Sequence, residues 1–183
     1  IPPINGRDVV ADYFEANIKS IKNCKWITYL SATSVYGDHK GEWVNEKSIT
    51  KPTSSNGISR LNAENTWKSL TNKNNFPLQI FRLAGIYSHK SNIIKRLQLG
   101  KVQIVEKKNH FFSRIHVDDI ANILLKSLNN FKSREIYNIC DDKPASQIEV
   151  VAYAAKLLKL KQPNPLKLED VESEMLRNFY KDS

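Results

Sequence analysis

Leu30-Ser31-Ala32-Thr33-Ser34-Val35-Tyr36-Gly37-Asp38, followed by Asn56-Gly57-Ile58-Ser59-Arg60-Leu61-Asn62-Ala63-Glu64, is the pair of stretches on which the reading of this chain turns. The residues just before the first, Trp26 to Ser31, are apolar nearly throughout and rich in aromatic and β-branched side chains. That is the composition of a strand buried on both faces of a parallel sheet. The strand runs into small residues and a glycine, and the second stretch reads as a helix entry. Between them, 38–55 is polar and punctuated by Gly and Pro. It is too polar for a core and too long for a simple turn, so it reads as a loop over a site.

Working outward, Val9, Val10, Tyr13, Phe14, Ile18 and Ile21 recur at helical spacing and predict an amphipathic helix over 7–22. Leu61, Trp67 and Leu70 predict a helix over 58–70, and 77–83 a second buried strand. A short basic helix is expected at 93–99, a short strand at 102–105, a helix at 116–128 and a strand at 135–140. Ser146-Gln147-Ile148-Glu149 carries the reciprocal capping pattern and opens a helix over 147–160, stopped by Pro163 and Pro165. The tail 168–180 is amphipathic and weakly helical. Alternating strands and helices give an α/β fold with a mainly parallel sheet, whose sites lie at the carboxyl ends of the strands. Ser31–Gly37 and Leu83–Tyr87 fall at such ends.

The 183 residues suffice for one domain with a sizeable core, with 40% hydrophobic and 26% charged residues. No apolar run approaches the length of a membrane span. The formal charge of +9 comes from scattered lysines without a block, which fits a solvated basic surface and argues against nucleic acid as the partner. Cys24 and Cys140 form no disulfide framework and no metal-ligand spacing, so no metal site is expected and a reducing cytoplasm is. The chain starts at Ile1-Pro2-Pro3 without an initiator Met, which reads as a fragment of a longer protein.

The quoted motifs resemble those of extended short-chain dehydrogenases/reductases, the NAD-dependent epimerase/dehydratase group. Leu30-Ser31 with Val35-Tyr36-Gly37 is similar to that group's Ser-Ser-x-x-Val-Tyr-Gly. Gly57-x-Ser59-Arg60 with Glu64 resembles its Tyr-Gly-x-Ser-Lys-x-x-x-Glu, and Phe81-Arg82-Leu83 with Ile86-Tyr87 its Leu-Arg-x-x-x-Val-Tyr-Gly. Ile115-His116-Val117-Asp118-Asp119 matches its Ile-His-Val-x-Asp, and Ile136-Tyr137-Asn138-Ile139 its later Tyr-Asn-Val strand. The Phe112 to Ala121 run is similar to the atypical, YeeZ-like subgroup. The resemblance covers residues 1–160 and implies the second half of a Rossmann-type, doubly wound parallel sheet with a small C-terminal substrate lobe. It divides the chain into 1–88, the second half of the cofactor domain, and 89–183, substrate lobe and returning sheet elements in one integrated fold.

The resemblance also implies NAD or NADP as cofactor and a small-molecule substrate. The cofactor would be lined by Pro2, Pro3, Ser31, Ala32, Thr33, Arg60, Leu83, Ala84, Gly85 and Ile86, and the substrate by Asn92, Arg114 and His116. The group's glycine-rich phosphate loop is not among these 183 residues. Its catalytic Ser/Thr, Tyr and Lys fall here on Ala32, Asn56 and Arg60. Asparagine has no proton to transfer near neutral pH, and arginine keeps charge without lysine's geometry. Tyr36 and Thr33 are the neighbouring candidates for acid/base and orienting roles. Phe112 stands where many nucleotide-sugar members have a diphosphate-gripping Arg, with Arg114 two residues on. A non-catalytic NAD(P)-binding sensor on the same fold is the alternative expectation.

Overall fold

A computed structural model describes residues 3, 6–21 and 23–181. The helix α1 (Val9–Ala16) leads to the strand β1 (Ile27–Ala32), a 3-10 turn at Thr33–Tyr36 and the long helix α2 (Ser55–Asn74). Then come β2 (Leu78–Leu83), β3 (Gly85–Tyr87), α3 (Ile93–Gln98), β4 (Ile104–Glu106), β5 (Arg114–His116), α4 (Val117–Asn129), β6 (Ile136–Ile139) and α5 (Gln147–Leu158). The chain closes with β7 (Pro165–Lys167) and α6 (Glu174–Lys181).

The main sheet has the order β1-β2-β6 and is parallel throughout. All six residues of β2 are buried, as the central position requires. One face packs against α1 and α2 through Ala11, Tyr29, Trp67, Leu70 and Ile80. The other packs against α4 through Phe81, Leu83, Ile120 and Ile139. Two further parallel pairs, β3 with β5 and β4 with β7, carry the chain into a second packing unit. Its core is Leu97, Ile104, Val151 and Ala154. The α/β class and the parallel sheet are as expected from the alternation.

Local chemistry sets the ends. Asp8 caps α1 through the backbone N–H groups of Val10 and Ala11, and also accepts from the Trp67 indole at 3.0 Å. The helix then ends at Ala16, not near 22. Asn17 terminates it, with its side-chain amide donating back to the Tyr13 carbonyl. Val9, Val10 and Tyr13, expected inside, are 46%, 38% and 70% exposed. The helix α2 is longer than expected because Ser54 caps it three residues early, and Asn75 in the left-handed conformation ends it. The capping box at Ser146 and Glu149 is formed as read. The three-residue strands β3, β5 and β7 were not foreseen.

Candidate active site at the strand ends

The register of the main sheet aligns Ala32 with Leu83, and Leu83 with Ile139. The carboxyl ends of all three strands therefore form one row. Beyond them β3 pairs Gly85 with Arg114 and Tyr87 with His116. After the 3-10 turn, Gly37 takes φ +70°. An added Cβ there would lie 2.2 Å from the Lys51 carbonyl oxygen, so only glycine lets the loop 37–54 fold back so tightly. The return is held by Lys51 N–H donating to the Tyr36 carbonyl at 3.1 Å. Asn56 is exposed in the first turn of α2. Arg60 follows one turn later, its Nη1 donating to the Leu30 carbonyl at 2.9 Å.

Beneath this row lies a buried ionic network. Glu64 is fully buried and accepts from Ser31 Oγ at 2.7 Å, Arg82 Nε at 3.0 Å and Arg82 Nη2 at 2.8 Å. Burial pushes the Arg82 guanidinium down, but hydrogen bonds and charge from Glu64 and Tyr36 outweigh it and hold it above its ordinary value. The Arg82 guanidinium carbon lies 4.8 Å from the centre of the Tyr36 ring. Tyr36, 2% exposed, donates its hydroxyl to Asn138 Oδ1 at 2.7 Å. Asn138 N–H in turn donates to Glu46 Oε1 of the loop at 2.7 Å. The network thus ties α2, β1, β2, the 3-10 turn, β6 and the loop together.

Of the residues expected to line a cofactor, Ala32, Thr33 and Arg60 are half-buried, and Gly85 and Ile86 are exposed. Ser31, Leu83 and Ala84 are buried, with the Ser31 hydroxyl turned to Glu64 and Ala84 N–H donating to the Ile139 carbonyl. Pro3 is half-buried, and Pro2 lies outside the described residues. Thr33 opens the 3-10 turn directly after Ala32. The three residues expected on the substrate side each have a local structural task. Asn92 caps α3, accepting from Lys95 N–H. Arg114 donates from Nη1 to the carbonyls of Phe112 and Ala145 at 3.0 and 3.1 Å, and burial lowers its pKa. His116 caps α4, its Nδ1 accepting from Asp118 N–H at 3.3 Å, with its ring edge-on to Tyr87.

Arg82, Asn138 and Glu46 are further site residues that motif spacing does not single out as such. One signal was available for Arg82. A charged residue within an otherwise apolar central strand needs a buried partner, and Glu64 supplies it. Among the described residues no group of three or more His, Cys, Asp or Glu side chains is placed to hold a metal ion. Nor is any of their helices long and apolar enough to cross a membrane.

The model of the NAD dependent epimerase/dehydratase family matches residues 7–140. Among solved structures, a functionally unknown conserved protein from Silicibacter pomeroyi is 37% identical with a TM-score of 0.86, over 100% of this chain and 64% of its own. UDP-glucuronic acid 4-epimerase from Bacillus cereus, solved with NAD, is 22% identical with a TM-score of 0.75, over 87% of this chain and 55% of its own. A dTDP-glucose 4,6-dehydratase from Bacillus anthracis, also with NAD, is 18% identical with a TM-score of 0.75, over 86% and 54%. The chain thus spans less than two thirds of the length of these proteins. No curated protein matches it. The parallel sheet, the turn after β1 and the family match agree: this chain belongs to the NAD dependent epimerase/dehydratase family.

Proposed function

We propose that these residues are the second half of an NAD(P)-dependent oxidoreductase or epimerase-like protein that acts on a small molecule without the family's tyrosine acid. The observation that carries this is the aligned row of carboxyl ends with Arg60 beside it; motif spacing puts Asn56 where the family has its tyrosine. The residues of the row suit a dinucleotide. Gly85 is exposed, so its backbone is open to approach. Ile86, 55% exposed beside it, offers an apolar surface for a ring. The Arg60 guanidinium would hold a ribose hydroxyl or phosphate. Bound NAD(P) would supply the hydride chemistry.

The chain's own residues bind, orient and exclude water. Ser31 and Thr33 both flank Ala32, but the Ser31 hydroxyl is committed to Glu64, so Thr33 takes the orienting role towards a substrate oxygen. Tyr36 could give a proton only by leaving Asn138, so its phenol serves better as the anchor of the turn. Proton transfer then falls to a group of the substrate itself. Cys24, half-buried, and Cys140, exposed, are both free, which suits a reducing compartment such as the cytoplasm.

The inward commitment of Tyr36 favours one second reading, a cofactor-binding sensor without turnover. Calorimetry of the full-length protein with NADH and NADPH, followed by turnover with a panel of carbonyl substrates, separates the two. Binding with turnover that Thr33→Val abolishes supports the first reading. Binding without turnover supports the second, and no binding of either nucleotide sinks both.

A further inference from the structure

Three segments distant in sequence meet at Lys107. Its ammonium donates to Asp38 Oδ2 at 3.2 Å and to the Tyr180 carbonyl at 2.7 Å. Asp38 begins the loop 37–54 just after the site turn, and Tyr180 lies in the last turn of α6. The loop backbone rests directly on the 107–110 segment. Gly41 takes φ +85°, and an added Cβ there would lie 2.4 Å from the Asn109 carbonyl oxygen. His110, 6% exposed, fills the space between Phe112 and Tyr180, at ring distances of 4.3 and 4.8 Å. Tyr180 itself is 1% exposed, and its hydroxyl bonds to Gln147 at the start of α5.

What holds α6 is a small cluster, Val105, Val171 and Tyr180, with Phe112, Leu168 and Leu176 packed against it. It is separate from the clusters that hold the main sheet. A helix held this way opens without breaking the sheet core, because local stability follows local burial. We infer that α6 is a strap: its docking through Tyr180 fixes Lys107, Lys107 fixes Asp38, and release of α6 loosens the loop that borders the strand ends. The consequence for activity rests on the function proposed above, but the strap itself is a property of the fold. By linkage the coupling runs both ways, so a ligand that orders the loop tightens α6.

Hydrogen exchange on the full-length protein without added nucleotide tests this. Tyr180→Ala removes the anchor of α6 without touching the loop. Amides in 38–51 are expected to exchange about tenfold faster, the size of an ordinary coupling between sites, while those of β2 are unchanged. Lys107→Met, at a partly exposed position outside the sheet core, should quicken the same loop amides and those of α6 together. Faster exchange in α6 with an unchanged loop in both variants overturns the strap. If Tyr180→Ala also quickens β2, Lys107→Met alone decides by the same two outcomes. Failure of the wild-type protein to bind NAD(P) would refute the proposed function and leave this result standing.

Discussion

Glu64 is a carboxylate with no access to water, held by Ser31 and by two bonds from Arg82. Such a pair adds little net stability over an apolar pair of the same shape, but removing one member strands the other charge. Glu64→Ala should therefore cost about 3 kcal/mol in urea unfolding at neutral pH, and the double replacement Glu64→Leu with Arg82→Met should recover most of it. Equal losses from the single and double variants would show that the pair is not the source. His110 makes the opposite kind of prediction. Burial, then the nearby Lys107 ammonium, lower it from 6.5 to about 4, against the weaker pull of Asp38. The fold therefore favours neutral His110, and the unfolded chain takes up the proton first. Its contribution is intact above pH 6.5 and is lost as pH falls from there to about 4. Between 6.5 and about 4, at about 1.4 kcal/mol per pH unit, this slope amounts to a loss of about 3 kcal/mol. His110→Phe should flatten it in unfolding curves taken across that window, and an unchanged slope would assign it to other groups.

At the scale of elements, the turn after β1 depends on one backbone conformation. Gly37 has positive φ, and the Lys51 carbonyl occupies the space of any Cβ. Gly37→Ala should cost about 2 kcal/mol or more from strain alone, read as a lower melting temperature, and should speed exchange at Lys51 N–H. The turn was legible in the sequence because it is local: a strand, small residues and a glycine sit side by side. The same is true of the capping box that opens α5, where four consecutive residues carry the whole signal. The ends of α2 were not legible, since Leu61, Trp67 and Leu70 mark only its middle and Ser54 and Asn75 decide where it starts and stops. Nor were β3, β5 and β7, because three residues hold no period and each exists only through its distant partner. The site divides the same way. Ala32, Asn56 and Arg60 are expected there from motif spacing alone, whereas Glu64 with Arg82, Tyr36 with Asn138 and Asp38 with Lys107 are pairs made by the fold.

At the scale of the molecule, the uncovered surface follows from the pleat. Tyr29 and Ser31 point to the α2 face of β1, so Leu30 points to the other. There its register neighbour Phe81 is covered by α4, but Leu30 itself is 37% exposed. Leu125 and Leu128 of α4 are 63% and 51% exposed. Among the described residues β1 also pairs with a strand on one side only, so its outer edge has no strand partner. An open edge beside exposed apolar side chains invites pairing between chains. Residues 1–183 expressed alone should therefore self-associate, seen as high-mass species by size-exclusion chromatography with light scattering. Leu30→Lys, which places a charge at that edge, should raise the monomer fraction of the 183-residue chain. In a longer chain that carries the first half of the proposed sheet, the same change should lower stability. A monodisperse 183-residue monomer would show that the outer edge of β1 and the open face need no cover.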